Sequence, residues 1–421
     1  MHPFINLPLI FFFAMAQTLF YTIIFILVAD FGLERYLAYL NIRNSKNELP
    51  PILRDIYDSQ KYKKQQDYFN INSRFGITTS TFGFIVIMLM YTLSGFSWLD
   101  QFVQEFIHYQ IWIPIVFFGI LYFANDLINI PFELYDTFVI ETKFGFNKVT
   151  PLLYIVDKLK GYAITIIIGG GMLYVIITIY NLTPDYFWFF AWLVITSFSL
   201  FMTMFYSQLI VPLFNKQTPM ELGELRNEIE KFAVKTGFNL ENIFVIDGSK
   251  RSTKANAYFS GLGSKKRIVL YDTLIEKLTV EEIVAVLAHE VGHYKHKHTL
   301  KNLLISIPTT LVLFYVFGLI LQSDTFAQAI GGHKASFHLN ALVFSILYSP
   351  ISLILDILTN VVSRKFEYQA DAFASKYGFT NQLISGLKKL SATSLSNLMP
   401  HPLYVFFHYS HPTLYQRIIK L

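Results

Sequence analysis

Seven long apolar stretches constrain this 421-residue chain more than any other feature. A helix crosses the hydrocarbon core of a bilayer with about 20 apolar residues. Only 15% of the residues are charged, whereas a soluble domain typically has about 25%. We therefore predict an α-helical polytopic membrane protein with seven transmembrane helices, near residues 8–29, 77–96, 111–131, 162–180, 187–211, 303–321 and 340–362. The first stretch has no basic start and is longer than a signal-peptide core, so we expect an uncleaved span.

The basic residues of the loops predict how the chain is oriented. Residues 35–74 contain eight Lys and Arg residues, and residues 132–161 contain four. The alternate loops are nearly free of them: 96–110 and 181–186 have none, and 322–339 has only Lys334. Because cytosolic loops are enriched in Lys and Arg, we expect the N-terminus outside, and both 214–301 and 363–421 on the cytosolic side.

This orientation divides the chain into four parts. A membrane region with five spans (1–213) precedes a cytosolic tract (214–302), spans six and seven (303–362) and a cytosolic C-terminal tract (363–421). The two cytosolic tracts share a compartment and can therefore form one unit. The net charge of +5 is spread along the chain, so nothing indicates a nucleic-acid partner. The oligomeric state is not indicated by the sequence.

The first cytosolic tract has the signals of a small α+β domain. A helix is predicted from Thr218-Pro219 to a stop at Gly237, and Thr150-Pro151 carries the same start signal. Another helix begins at Thr279, with Glu282 in capping-box spacing. Strands are predicted between these two helices at 243–247, 256–261 and 267–272, the last two joined by a Gly/Ser/Lys turn.

The segment "AHEVGHYKHKH" lies on the second of these helices and has the HExxH pattern. The pattern places His289 and His293 one helical turn apart, where both can bind one Zn²⁺ while Glu290 reaches a metal-bound water. The alternative is a basic helix end that contacts lipid headgroups. The chain has no cysteine, so any metal must be bound by imidazole and carboxylate groups.

A third metal ligand has to come from elsewhere in the chain. His296 lies on the same helical stripe as the first two histidines and cannot complete a tetrahedron, so we interpret His296 and His298 as interfacial or structural. Glu367 is the only glutamate after Glu290. It follows the seventh span on the same side of the membrane, and we predict it as the third ligand. The alternative is a salt bridge to Arg364 or Lys365.

Further side chains have the chemistry to support this centre. Asp371 lies one turn after Glu367, which suits a carboxylate that accepts a hydrogen bond from a ligating imidazole. Hydrolysis of a peptide develops an oxyanion that needs donors besides the metal. The C-terminal "FFHYSHPTLYQRIIKL" offers three, at His408, His411 and Arg417.

The strand "ANAYFSG" is a candidate for pairing with an extended peptide substrate. Asn256 at its start is a candidate for a hydrogen bond to that substrate. An ordinary hairpin strand is the alternative interpretation of this segment, just as packing at the lipid interface is for the C-terminal histidines.

Several unlinked motifs together resemble one family. "LAHEVGHYKHKH", "FEYQADAFA", "KANAYFSGLGSKKRIVLYDTL" and "HYSHPTLYQRI" are similar to the type 1 CAAX prenyl proteases, integral-membrane zinc metalloproteases. "FGFNKVTP" and "PLFNKQTP" resemble loops of the same family. The resemblance covers nearly the whole chain, from "LERYLAYLN" to the C-terminus. It implies seven spans around a water-filled intramembrane chamber, with a small zincin-like unit at the cytosolic end.

The resemblance also implies a set of functional residues. One zinc ion would be bound by His289, His293 and Glu367, with Glu290 as the catalytic base. Four further residues would lie near the metal: Asn256, Asp371, His411 and Arg417. The expected reaction removes the aaX tripeptide that follows a prenylated C-terminal cysteine. A chamber would account for Asp126 and Asp356 inside spans, and so would pairing between helices.

Three functions remain open from the sequence. The first is a membrane zinc endopeptidase acting on prenylated CAAX proteins, with lipid and a peptide as partners. The second is a quality-control metalloprotease of membrane proteins without a prenyl requirement. The third is a transporter or scaffold with a structural metal site, although such a site has no use for Glu290. The expected location is the endoplasmic reticulum membrane in a eukaryote or the cytoplasmic membrane in a bacterium.

Overall fold

A computed structural model describes residues 7–238, 243–260 and 267–421, without the side chains of 7–13, 259 and 260. The helices before the first strand are α1 (Leu7–Asn44), α2 (Ser59–Thr92), α3 (Gly95–Phe106), α4 (Trp112–Tyr135), α5 (Thr142–Phe144), α6 (Pro151–Ile164), α7 (Gly171–Leu182), α8 (Phe187–Leu209) and α9 (Val211–Phe214). Short π-helical segments, Asp136–Glu141 and Thr165–Gly170, join α4 to α5 and α6 to α7.

The second half of the chain contains all the described strands. These are β1 (Gln217–Pro219), β2 (Ile243–Ile246), β3 (Ala257–Ser260) and β4 (Arg267–Tyr271). The helices are α10 (Glu224–Thr236), α11 (Asp272–Ile275), α12 (Val280–Lys295), α13 (His298–Leu321), α14 (Asp324–Gln328), α15 (Phe337–Lys376), α16 (Thr380–Thr393), α17 (Pro402–His408) and α18 (Leu414–Lys420).

Seven helical stretches in the described residues are long and apolar enough to cross a membrane, which confirms the predicted number. They are Ala14–Asn44, Ser59–Thr92, Trp112–Phe144, Pro151–Leu182, Pro184–Phe214, His298–Leu321 and Phe337–Lys376. Most extend beyond the predicted apolar cores. The second, for example, begins at Ser59 rather than near 77, because Asp58 caps its N-terminus by accepting a hydrogen bond from the Lys61 amide.

The spans form a ring in chain order. Each span contacts the next one along the chain, and α15 returns to contact α1. Only 6 to 17% of each apolar core is buried inside the protein, so neighbouring spans touch along narrow stripes. Between spans three and four, Lys158 contacts Asp126 and Glu133, each at 2.7 Å. Pairing between helices therefore accounts for Asp126, whereas Asp356 is exposed.

The densest packing lies at the two ends of this ring. At one end α3 and α14 pack onto the starts of α4 and α15 around Phe117 and Leu339. At the other end the two tracts predicted to be cytosolic share one core. That core brings Ile283 and Leu287 of α12 together with Ala374 of α15 and Leu383 of α16. The residues on either side of spans six and seven therefore form one unit, which contains the predicted site.

The unit includes a four-stranded sheet in the order β1-β2-β4-β3. The central pair, β2 and β4, is parallel, while β1 and β3 run antiparallel to their neighbours. All three predicted strands are present. The predicted turn between β3 and β4, at 261–266, lies outside the described residues. Because β3 is at the edge of this sheet, one of its sides is open to another extended segment.

The predicted helix start at Thr218 is wrong. Thr150 caps α6 as predicted, by accepting a hydrogen bond from the Leu153 amide, with Pro151 in the first turn. Thr218 instead pairs with Val245 in edge strand β1, and α10 starts only after Gly223. The same Thr-Pro dipeptide is compatible with both structures, because proline is also tolerated in an edge strand. The predicted stop at Gly237 is confirmed, with a left-handed φ of 58°.

Candidate metal centre and active site

Helix α12 positions the two histidines of the HExxH pattern. Its N-terminus has the predicted capping box, in which Thr279 accepts from the Glu282 amide and the Glu282 carboxylate accepts from the Thr279 amide. From this start the helix runs without a break through His289 and His293. Their Nε2 atoms point toward each other and are 3.1 Å apart. The helical spacing therefore brings both nitrogens to one point.

Glycine at position 292 allows α15 to approach α12 closely. A Cβ atom at this position would lie 2.9 Å from the Ala370 Cα and 3.0 Å from the Phe373 Cβ. Because these are closer than real Cβ contacts, any larger residue would push the two helices apart. The close crossing brings Glu367, one turn before Ala370, against the two histidines.

Glu367 completes the group of three. Its carboxylate oxygens lie 3.4 Å from the His289 Nε2 and 3.2 Å from the His293 Nε2. The residue is only 4% exposed. The alternative salt bridge to Arg364 does not form, since that guanidinium donates to the carbonyl groups of Val405 and Tyr409. Glu367, the predicted third ligand, therefore lies beside the Nε2 atoms of both histidines.

These three residues fit a metal ion. One atom from each of His289, His293 and Glu367 lies within 4.8 Å of the other two. The Glu367 Oε2 is buried and has no hydrogen-bond partner among the described residues. A buried carboxylate oxygen without a partner is costly, and a cation between the three groups would remove that cost. Two imidazoles and one carboxylate are a ligand set typical of catalytic zinc.

Asp371 and Arg417 support His289 from behind. The Asp371 Oδ1 lies 2.8 Å from the His289 Nδ1, so the imidazole donates its Nδ1 hydrogen and leaves the Nε2 lone pair free. Burial alone would lower the pKa of His289, but the neighbouring Asp371 and Glu367 carboxylates outweigh it and raise the pKa to about 9. A metal has to displace this proton, so affinity for a metal falls as the pH is lowered.

Arg417 holds the Asp371 carboxylate with two hydrogen bonds, Nε to Oδ2 at 2.9 Å and an Nη atom to Oδ1 at 2.6 Å. A second capping box, between Thr413 and Gln416, starts the short helix α18 that carries this arginine. Another Nη atom lies 3.8 Å from Glu367. Arg417 also lines the cavity in front of the candidate ligands, but its guanidinium is engaged with two buried carboxylates.

A cavity of about 830 Å³ opens in front of the three candidate ligands. Glu290 lines it, half-buried, and makes no hydrogen bond or ion pair with the part of the chain that the structure describes. His411 lines it as well, with its Nε2 3.3 Å from the Glu367 Oε1. A carboxylate that can accept a proton and an imidazole that can donate one therefore face the same space.

The edge strand β3 forms another wall of this cavity. Asn256, Ala257 and Tyr258 line it, and Asn256 is exposed. The side chain of Asn256 accepts a hydrogen bond from the Ala257 amide at 2.9 Å. The predicted substrate strand therefore runs beside the candidate ligands, with the open side of the sheet next to the cavity.

Of His296, His298 and His408, only His298 contacts a candidate ligand. His408 is not part of the cavity wall, and its Nε2 lies 3.5 Å from Glu34 of the first span. His296 is exposed, as an interfacial residue would be. His298 is buried, and its Nδ1 is 2.9 Å from the Nδ1 of His293. Sequence patterns did not assign His298 to the site, because it is five residues from His293 and therefore not on the same face of a regular helix.

Comparison with known proteins gives the same picture for both halves of the chain. Residues 38–216 match the model of the CAAX prenyl protease N-terminal region, described as five membrane helices. Residues 219–421 match the model of peptidase family M48. The two matches meet close to the point where the membrane region is followed by the first strand.

Individual relatives match over nearly their full length. CAAX prenyl protease 1 of Saccharomyces cerevisiae is 35% identical over 94% of this chain and 93% of its own. A CAAX prenyl protease 1 homolog of Dictyostelium discoideum is 38% identical, over 93% and 94% of the two chains. The crystal structure of S. mikatae Ste24p superposes with a TM-score of 0.90 at 33% identity and covers 96% of this chain and 98% of its own.

Proposed function

The chain belongs to the CAAX prenyl protease 1 group of peptidase family M48 and is therefore a multi-pass membrane metalloprotease, and we propose that it uses zinc to cleave prenylated CAAX proteins. The substrate would be cut after its prenylated cysteine, which releases the C-terminal tripeptide. The reaction class follows from the family. The metal, the prenyl requirement and the roles of individual residues are our proposal.

One observation supports the proposal most strongly. His289, His293 and Glu367 converge on one point, and the unpaired carboxylate of Glu290 faces the cavity beside them. A structural metal site is closed by its ligands and has no use for a base. The open side of this group, with Glu290 on it, favours a hydrolytic site over a transporter or scaffold.

The chain's own residues can carry the proton transfers. Zinc, when bound, supplies Lewis acidity that activates a water and polarises the scissile carbonyl. Glu290 would accept the proton of the attacking water and pass it to the leaving amine. His411 would donate a hydrogen bond to the developing oxyanion. Arg417 is better placed to hold Asp371 than to touch the substrate, and we assign it a positioning role.

The edge strand offers a way to bind the peptide. An extended segment can add to β3 through main-chain hydrogen bonds, which would place its backbone along the cavity wall formed by Asn256 and Ala257. A second cavity of about 870 Å³ also borders β3, with Met202, Tyr206 and Tyr258 among its lining residues. These large side chains suit an isoprenoid chain, and we propose that the lipid lies there while the peptide lies on the metal side.

The proposed location follows from the charge of the loops. The basic segments lie at the same end as the catalytic unit, as the pair Arg251–Asp157 at 2.9 Å illustrates. Under the positive-inside rule this end faces the cytosol. The membrane would be the endoplasmic reticulum in a eukaryotic cell and the cytoplasmic membrane in a bacterium, with the ring of spans around a water-filled chamber.

The test compares matched peptides that differ only in a farnesyl group on the cysteine. The purified full-length protein in lipid vesicles is incubated with each peptide, and the products are identified by mass spectrometry. We expect release of the intact tripeptide from the farnesylated peptide and a much slower reaction with the other. Glu290→Gln should keep the metal and lose cleavage by a factor of about 100 to 10,000.

Two results would contradict the proposal. Full activity of Glu290→Gln would remove the assigned base. Equal cleavage of both peptides would remove the prenyl requirement and favour a quality-control protease of membrane proteins. Glu276→Gln serves as the matched control, because Glu276 lies outside the cavity wall, and it should leave both reactions unchanged.

A further inference from the structure

His298 contacts His293 but is not one of the three candidate ligands. It is the first residue of α13, three residues after α12 ends at Lys295. The side chain is only 2% exposed. Its ring stacks on Phe366 with centroids 4.0 Å apart and planes 7° from parallel. A histidine so enclosed keeps one orientation, which makes its hydrogen bonds informative.

A left-handed residue brings His298 to this place. On a continuous helix, residue 298 would lie about 140° around the axis from residue 293. The chain instead breaks at Lys297, whose φ is 56°. A left-handed conformation is unfavourable for a non-glycine residue and is often found where a functional site needs it. Here it turns His298 back toward His293.

The hydrogen bonds of His298 run in one direction. Its Nε2 lies 2.9 Å from the Gln369 Oε1, and an amide oxygen can only accept, so the Nε2 carries the hydrogen. In a neutral imidazole the Nδ1 is then an acceptor. The His293 Nδ1, at 2.9 Å, must donate to it. The His293 Nε2 is left with a free lone pair, 3.2 Å from the Glu367 Oε1.

We infer that His298 and Gln369 are positioning residues, which fix His293 in the tautomer and orientation that a metal ligand requires. The inference rests on the proposed function, because it assumes a metal bound by His289, His293 and Glu367. Both candidate histidine ligands are then held in the same tautomer, but by different hydrogen-bond partners. Asp371 orients His289 with a charged acceptor, whereas a neutral relay from Gln369 through His298 orients His293.

The arrangement also links the ligands along one helix. Gln369 lies on α15 between the candidate ligand Glu367 and the supporting Asp371. Helix α15 therefore carries the candidate ligand Glu367, the hydrogen-bond partner of His289 (Asp371) and the hydrogen-bond partner of His298 (Gln369). A small shift of α15 relative to α12 would disturb all three at once, so the close helix crossing at Gly292 bears directly on the metal site.

The test measures zinc affinity of the full-length protein by competition with a chelator. His298→Phe keeps the ring that stacks on Phe366 but removes the acceptor for His293. We expect its zinc affinity to fall about 10- to 100-fold, the usual effect of losing such a partner. Gln369→Met removes the second acceptor and should weaken zinc binding in the same direction. His298→Gln, which can present an amide oxygen to His293, should recover part of the loss.

A second readout separates positioning from folding. In the cobalt-substituted protein, His298→Phe should shift the visible absorption bands, because the ligand field changes when His293 reorients. The melting temperature of the metal-free protein should stay close to the unsubstituted value. His108→Ala is the matched control, because His108 is exposed and follows α3, at the end of the ring away from the metal site; it should change neither zinc affinity nor the spectrum.

The outcomes distinguish this inference from the function on which it rests. Wild-type zinc affinity and spectrum in His298→Phe and Gln369→Met would overturn the inference alone. An equal loss in His108→Ala would also overturn it, because the effect would then be nonspecific. If the unsubstituted protein binds no zinc that depends on Glu367, both the inference and the proposed function are wrong.

Discussion

The two ends of helix α15 each hold a buried histidine–aspartate pair, yet only one of them has the features of an active site. At the end that carries the candidate metal site, Asp371 contacts His289 at 2.8 Å. At the opposite end, which we name the outer end, Asp100 contacts His338 at 2.7 Å. The distances are nearly the same, both pairs are buried, and each pair contributes to the wall of a cavity.

The difference lies in the second nitrogen of each histidine. The His289 Nε2 faces His293 and Glu367 at the edge of a cavity. The His338 Nδ1 is buried, with no hydrogen-bond partner among the described residues, and its ring packs on Phe117. A histidine–carboxylate pair is therefore not a site by itself. It becomes one when the other nitrogen meets further ligands.

The outer pair has the features of a structural contact. Burial would raise the pKa of Asp100, but hydrogen bonds from His338 and Gln104 outweigh it and hold the pKa below its usual value. The bond from His338 links α3 to the first turn of α15, and the bond from Gln104 fixes the Asp100 carboxylate within α3. The pair thus closes the outer end of the ring, while its counterpart prepares a ligand.

The largest expected effect comes from removing Glu367, a candidate ligand that has no counterpart at the outer end. Glu367→Ala should reduce bound metal from one ion per chain to none and abolish cleavage, because two histidines alone do not retain the ion. Elemental analysis of the purified protein checks the metal, and the peptide assay checks the activity. A variant that still binds one metal per chain would mean that another residue is the third ligand.

A smaller effect is expected from the carboxylate behind His289. Asp371→Ala should weaken zinc binding about 10- to 100-fold, because it frees the imidazole and leaves Arg417 without its partner. Asp371→Asn should lose less, since an amide oxygen can still accept from the His289 Nδ1. Chelator competition measures both. If both variants bind zinc like the unsubstituted protein, Asp371 does not support the metal site and both His–Asp pairs are structural contacts.

The smallest effect on activity is expected at the outer end. Asp100→Ala leaves the buried His338 without its partner, which costs about 1–3 kcal/mol of stability. The melting temperature should therefore fall, while metal content and the turnover number stay the same. Thermal unfolding in detergent, measured beside the peptide assay, tests this. Loss of metal in this variant would show that the two ends are coupled through α15.

The sequence by itself determined the features that depend on residues close together in the chain. Seven apolar stretches and the alternation of basic loops specify the spans, because crossing a bilayer depends on length and polarity alone. HExxH places two histidines on one face because helical spacing is regular. Glu367 was found by elimination, since no other glutamate follows Glu290.

Only the tertiary structure decided the features that depend on residues far apart or on unusual backbone. Thr218 lies in a strand because β2 was there to pair with it, although Thr150 with the same signal caps a helix. His298 enters the site through a left-handed lysine, which no local pattern indicates. Arg417 is a candidate from the sequence, but its contact with Asp371, 46 residues away, is seen only in the structure. Such contacts gain their stability from packing and burial that form only when the whole chain folds.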